Sequence, residues 1–208
     1  MKYLKQAWLV LLLAMVFGSG LTAMQISLSG RIAENKRNET YGQIPTLVPG
    51  ASIEKTEEVT FGPKGKTAYK VFDDAGEHIG WVLPAGGMGF ADKIEILIGL
   101  DRNAERITGL YVLDQKETPG LGNKITMRAD SPQEAPLFLD NFTGKNATEP
   151  LMVVKRQPKE GANEVEAITG ATVSSKAVTD IVNKAVREFR SAKELAGGDG
   201  QTGGNDGQ

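Results

Sequence analysis

An α+β domain behind an N-terminal apolar helix is the fold class this sequence predicts, and three observations predict it. Residues 6 to 30 carry no charge at all. A central stretch alternates apolar residues with a period of two, and the last long segment repeats them at helical spacing. Helices at both ends with strands between them make an α+β arrangement. The 208 residues suffice for one globular domain plus extensions. We divide them into an anchor (1–30), a connecting helical or mixed segment (31–66), a folded domain (67–195) and a flexible tail (196–208).

Lys2 and Lys5 precede an apolar run from Ala7 to Phe17 that continues through Leu21 to Leu28. About 20 such residues cross a bilayer core as a helix. The competing reading is a cleaved signal peptide, with Lys2 and Lys5 as its basic region and Gly18, Ser19, Gly20 and Ala23 as small residues near a cut. Leu21 and Ala23 do not make an A-x-A site, and apolar character persists past Ala23, which favours an uncleaved single span. Arg31, Lys36 and Arg37 follow the span, so charge on its two flanks does not fix its orientation.

Beyond the span, residues 31 to 58 read as helical or mixed, interrupted by Pro45 and by Pro49-Gly50, with Lys55 to Glu58 as an exposed face. Tyr69 and Val71, then Ile79, Trp81 and Leu83, flank Asp73-Asp74-Ala75-Gly76, a hairpin signal. Ile94, Ile96, Ile98 and Leu100 alternate with Glu95, Leu97 and Gly99, a strand with one buried face. The turn Asp101 to Ala104 leads into a strand from Ile107 to Leu113. Residues 131 to 142 suggest a short helix with Leu137, Leu139 and Phe142 in the core, and Leu151 to Lys155 another strand. Val178, Ile181, Val182, Ala185, Val186 and Phe189 then make one apolar face of a closing helix. Gly86 to Gly89 reads as a loop before a strand, without the following helix of a dinucleotide fingerprint. His78 is expected to be solvated and Trp81 to be core, and Trp8 marks a membrane interface. The tail from Ala196 has almost no apolar content.

Composition narrows the chemistry. A net charge of -2 offers no basic excess, so nucleic acid is not the expected partner. With no cysteine, a Cys-ligated iron–sulfur cluster, a Cys-zinc site, a disulfide and a lipoprotein anchor are all excluded. Electron chemistry would have to come from a bound organic cofactor or from another subunit.

Two short segments stand out. Thr169-Gly170-Ala171-Thr172 leads through Val173-Ser174-Ser175 into the closing helix. Gly170 and Ala171 carry little bulk, so the backbone can turn tightly and approach a ligand. Thr172, Ser174 and Ser175 add hydroxyls where unpaired amides and the helix dipole favour a phosphate. An ordinary N-cap role for Thr172 or Ser174 is the alternative that spacing leaves open. The second segment is Glu117-Thr118-Pro119-Gly120-Leu121-Gly122, where Pro119-Gly120 fits the centre of a type II turn.

Glu166 to Thr172 resembles the flavinylation motif D-x-x-[ST]-G-A-T of the FMN-binding domain family, with Glu166 in place of its aspartate. Glu117 to Gly122 resembles the second signature of that family, E-T-P-G-L-G. Gly86 to Ile96 and Val48 to Ala51 also look familiar, so the likeness covers about residues 48 to 190. With its single span, the chain resembles the G subunits of Rnf-type ion-translocating complexes, which are related to a component of the sodium-translocating NADH:quinone reductase. The resemblance implies a single FMN-binding domain with a transmembrane helix. FMN would be held by a phosphoester on Thr172, installed by a separate flavin transferase. Glu117, Thr118, Gly120, Leu121, Gly122, Thr169, Gly170 and Ala171 would lie at the cofactor. It further implies a single-pass protein of the cell's inner membrane, with its domain on the extracytoplasmic side among other membrane and redox subunits. The complex would move electrons between ferredoxin and NAD, coupled to sodium or proton translocation. The chain alone would relay electrons without a complete activity, and needs no catalytic side chain and no metal. A flavinylated carrier of another exported electron-transfer chain, or a membrane-anchored binding module in which Thr172 only caps a helix, are the alternatives.

Overall fold

The uncharged N-terminal stretch lies wholly within helix α1 (Lys2–Leu47). The computed structural model describes residues 2–129 and 137–198, with the side chains of 7–129 and 137–195. The chain divides into two units, Met1–Thr40 and Tyr41–Gln208.

In the first unit the apolar side chains of α1 are exposed from Trp8 to Leu28. Its hydroxyls bond back onto the helix: Ser19 Oγ donates to the Met15 carbonyl (2.7 Å) and Thr22 Oγ1 to that of Gly18 (2.8 Å). A helix facing lipid needs its polar groups satisfied internally in this way. The helix is long and apolar enough to cross a membrane.

In the second unit β1 (Ser52–Phe61), β2 (Lys66–Phe72), β3 (His78–Met88), β4 (Lys93–Asp101) and β5 (Ile107–Asp114) form one antiparallel sheet in sequential order. The expected hairpin joins β2 to β3, with Asp73 Oδ1 accepting the Glu77 amide (2.8 Å). Two segments differ from the sequence expectation. β1 falls within residues assigned to the connecting segment; it is an edge strand whose Glu54, Lys55, Glu57 and Glu58 are exposed, so it shows no clear alternation. Gly86, Gly87 and Met88 are not a loop but the end of β3, paired with Glu95, Ile94 and Lys93. A Cβ on Gly87 would lie 2.7 Å from Ile181 Cγ1, so the glycine admits the closing helix onto the strand.

That closing helix, α2 (Thr172–Gly198), buries Val178, Val182, Val186 and Phe189 against Ile94, Ile96, Ile98 and Leu100 of β4. It runs three residues into the expected tail; residues 199–208 lie outside the described ones. The expectation that β4 buries one face is incomplete. Leu97 points into a second cluster with Tyr69, Val71 and Val82, closed by Ile44, Leu47 and Val48. Gly99 is buried there too, and a Cβ on it would lie 2.7 Å from the Leu47 carbonyl. The last turn of α1 thus covers the sheet face opposite α2. Helix α1 continues past Pro45 because that residue sits in the final turn, where its missing N–H removes one bond only. The Pro49-Gly50 turn follows, with the Ala51 amide donating to the Val48 carbonyl (3.2 Å) and Gly50 at φ +87°.

Three further expectations are corrected. His78 is half-buried rather than fully solvated: its ring packs edge-on against Phe72 and Trp81, and Nε2 lies 3.0 Å from the Gly80 carbonyl. Burial holds its imidazole below the usual range, against the opposing pull of that hydrogen bond. Leu137 is 39% exposed, whereas Leu139 and Phe142 are core residues in a single 3₁₀ turn, Leu139–Phe142. The first half of the expected helix, residues 131–136, lies outside the described residues. The strand expected at 151–155 is shorter, β6 (Met152–Val154), and pairs in parallel with β7 (Glu164–Glu166).

β7 delivers the chain to Thr172, and Glu164 secures it. Arg156 donates to both Glu164 oxygens (3.0 and 2.8 Å), and the Lys159 amide donates to Oε2 (3.0 Å). The Arg156 hydrogen bonds first, and the Lys159 amide second, hold the Glu164 carboxyl below the usual glutamate range. A depressed carboxylate contributes stability that is fully present above the unfolded pKa and lost as pH falls through the folded one. In denaturant titrations on the acid side of the glutamate range, Glu164→Gln therefore reduces the loss of stability with falling pH. An unchanged slope would contradict this assignment.

Candidate functional site

After β5 the chain makes the expected turn. The Leu121 amide donates to the Thr118 carbonyl (3.2 Å), with Pro119 and Gly120 between them and Gly120 at φ +76°. A type II turn needs this positive φ at its third residue. The Asn123 amide also reaches the Thr118 carbonyl (3.2 Å), and a 3₁₀ turn, Gly122–Thr126, follows.

After β7 a second turn forms. The Ala171 amide donates to the Ile168 carbonyl (2.9 Å), with Gly170 at φ +83°. Helix α2 begins there, its Ser175 amide donating to the Ala171 carbonyl (3.0 Å). The hydroxyl that ties loop to helix is that of Ser175: it accepts the Ile168 amide (3.0 Å) and donates to the Ala171 carbonyl (3.0 Å). Thr172 is half-buried, and its hydroxyl makes no hydrogen bond among the described residues. The amides of Thr172, Val173 and Ser174, in the first turn, likewise meet no acceptor among the described residues.

The two turns meet. A Cβ on Gly170 would lie 3.1 Å from Leu121 Cδ2, and one on Gly122 would lie 2.8 Å from Ser174 Oγ. Glu117 is buried beneath them, 4% exposed. Its Oε1 accepts the amides of Phe90 (2.8 Å) and Ala91 (3.0 Å), and its Oε2 accepts the Ser174 hydroxyl (2.5 Å). Above this network Thr118, Leu121, Gly122, Gly170, Ala171 and Thr172 line a depression, with Phe90, Val173, Ser174 and Glu117. Gly120 and Thr169 are exposed and do not line it.

Its volume is about 280 Å³. That is below the ~300–1,000 Å³ usual for pockets that engulf a small ligand. A group seated here keeps much of its surface exposed. Phe90 (67% exposed), Val173 (58%) and Leu121 (47%) give it an apolar wall. Sequence reasoning missed Phe90 and Val173 as site residues. No Lys, Arg or His is among the lining residues, and the carboxylate of Glu117 is already engaged. The site therefore offers open amides for an anion, a free hydroxyl and apolar surface for a flat ring, which fit FMN.

The comparisons with known proteins agree with this geometry. The family model described as the FMN-binding domain matches residues 89–187. The chain is 35% identical over 147 residues to the G subunit of the Na(+)-translocating ferredoxin:NAD(+) oxidoreductase complex of Acetobacterium woodii, covering 69% of this chain and 66% of that protein. It therefore spans just under two thirds of that relative. It is 32% identical over 203 residues to the G subunit of the ion-translocating oxidoreductase complex of Pseudomonas aeruginosa, covering 92% of this chain and 90% of that one. Among solved structures, NqrC of Shewanella oneidensis superposes with a TM-score of 0.54 at 26% identity, over 64% of this chain and 61% of its own. The corresponding component of the Na(+)-translocating NADH-quinone reductase of Parabacteroides distasonis shares the fold, with a TM-score of 0.52 at 23% identity over 85% and 86%. The fold, the paired turns and these relatives together assign the chain to the family of G subunits of ion-translocating oxidoreductase complexes.

Proposed function

We propose that this chain is the membrane-anchored flavin subunit of an ion-translocating oxidoreductase complex, with FMN joined by a phosphoester to Thr172 Oγ1. The observation that carries the reading is the free Thr172 hydroxyl, which heads α2 among amides without acceptors and beside an apolar wall. When bound, FMN supplies reversible electron transfer at its ring.

The chain's own residues do the rest. Thr172 tethers the group, so it is not lost outside the cytoplasm. The amides of Thr172, Val173 and Ser174, aided by the α2 dipole, hold the phosphate without a cationic side chain. Phe90, Leu121 and Val173 present apolar surface to the ring, and the shallow depression leaves an edge open to partner subunits. Gly120, Leu121 and Gly122 allow the turn to lie close to the cofactor, with Thr118 at its start, and Thr169 shapes the opposite turn. No proton transfer falls to Glu117, whose two oxygens are occupied.

Helix α1 spans the inner membrane once, with the domain on the extracytoplasmic side. A flavin transferase installs the cofactor from an activated flavin dinucleotide: the Thr172 Oγ1–P bond forms as the donor's phosphoanhydride bond breaks, the hydroxyl gives up its proton, and the second nucleotide leaves as its monophosphate. Other membrane and redox subunits of the complex pass electrons through this chain between ferredoxin and NAD, and translocate sodium or protons. The name of the Acetobacterium relative supports that redox pair. The test is simple: protein from a native host, denatured and run on a gel, retains flavin fluorescence. A dark band in a host that possesses the transferase contradicts the proposal.

A further inference from the structure

Glu117 holds the only buried carboxylate among the residues lining the depression, and both of its oxygens are engaged by protein donors. A buried charge is tolerated only when its hydrogen bonds are satisfied, and here three donors satisfy it: the Phe90 amide, the Ala91 amide and the Ser174 hydroxyl. Two glycines make room for it. A Cβ on Gly89 would lie within van der Waals overlap of Glu117 Oε1, and one on Gly122 would lie 2.7 Å from Oε2. The carboxylate therefore bolts three pieces together: the segment after β3, the Thr118–Leu121 turn and the first turn of α2.

We propose that Glu117, acting through Ser174, is a positioning residue for flavin attachment at Thr172; the inference rests on the reading of Thr172 as the attachment point. Residues two apart on a helix are about 200° apart around its axis. Holding Ser174 down onto Glu117 turns the Thr172 hydroxyl away from that anchor and presents it. The Glu117 charge also lies at the positive end of the α2 dipole, so it secures the first turn before any phosphate arrives. In this account Gly89 and Gly122 serve the clamp, and the six residues from Glu117 to Gly122 orient the acceptor as well as lining its site.

The test coexpresses the full chain with a limiting amount of flavin transferase and follows, by intact mass, the flavinylated fraction of the folded protein. Ser174→Ala removes one hydrogen bond to a charged partner and slows loading roughly tenfold per folded molecule. Gly122→Ala, which intrudes between Glu117 and Ser174, does the same, and Ser174→Thr restores loading. Glu117→Gln keeps an acceptor oxygen for the two amides and loads nearer the wild-type rate than Ser174→Ala does. Melting curves of the unloaded proteins separate slow attachment from poor folding. A Ser174→Ala protein that melts normally and loads at the wild-type rate overturns the inference while the attachment reading stands. Wild-type protein that never gains flavin overturns the attachment reading, and the inference with it.

Discussion

Thr172→Ala removes all covalently held flavin and leaves the fold intact. The Thr172 hydroxyl makes no hydrogen bond among the described residues, so its loss strands no partner. Alanine is also the better helix former by several tenths of a kcal/mol, so stability changes by no more than about 0.5 kcal/mol in either direction. In a denaturing gel the variant is dark while the parent fluoresces, and their circular dichroism and melting curves coincide. Ser175→Ala is the contrast. The Ser175 hydroxyl is buried and satisfies the Ile168 amide, so its removal costs about 1–3 kcal/mol without removing the acceptor hydroxyl. One variant loses the cofactor and keeps the fold; its neighbour weakens the fold and keeps the attachment chemistry. Fluorescence that survives in Thr172→Ala would mean another residue holds the flavin.

Leu47→Ala produces a large loss of stability at a position outside the site. The side chain is 0% exposed and closes the sheet face opposite α2, together with Ile44 and Val48. Truncating a buried leucine costs about 2–5 kcal/mol, the spread depending on how far the surroundings collapse. For a domain of this size that lowers the midpoint on the order of 10 °C. Thermal unfolding of the full chain in detergent reads the shift. A midpoint within a degree or two of the parent would mean that the end of α1 is dispensable to the domain.

That second prediction comes from the part of the fold the sequence concealed. The central alternation of Ile94, Ile96, Ile98 and Leu100, the hairpin at Asp73 and the apolar face of α2 were all legible, from apolar periodicity and from turn residues. Leu97 and Gly99 were not, because they serve a second core supplied from Ile44, Leu47 and Val48, some fifty residues earlier in the chain. Strand β1 was hidden for the opposite reason, since its charged edge residues erase the alternation. The glycines at 86 and 87 looked like a loop; they are strand residues, and Gly87 lets α2 pack closely on β3, which a single sequence does not reveal.

The candidate site was legible through its two turns. Gly120 and Gly170 take the positive φ that their turns need, and the two motifs meet in space. Local physics alone would have left Thr172 as a common cap. Its neighbour Ser175 performs the tying role instead, and Thr172 is left free. The burial of Glu117 lay beyond reach of the sequence, because an exposed glutamate at the head of a turn and one clamped beneath it are written alike. Phe90 and Val173 were overlooked because exposed apolar side chains, taken singly, carry no signal.

Whether Thr172 carries the cofactor is read by an intact mass of the native protein, followed by peptide mapping. Attachment there gives an increment of one FMN less one water, located on the peptide that contains Thr172. An unmodified mass from a host that possesses the flavin transferase, or the same increment on a different peptide, would contradict it.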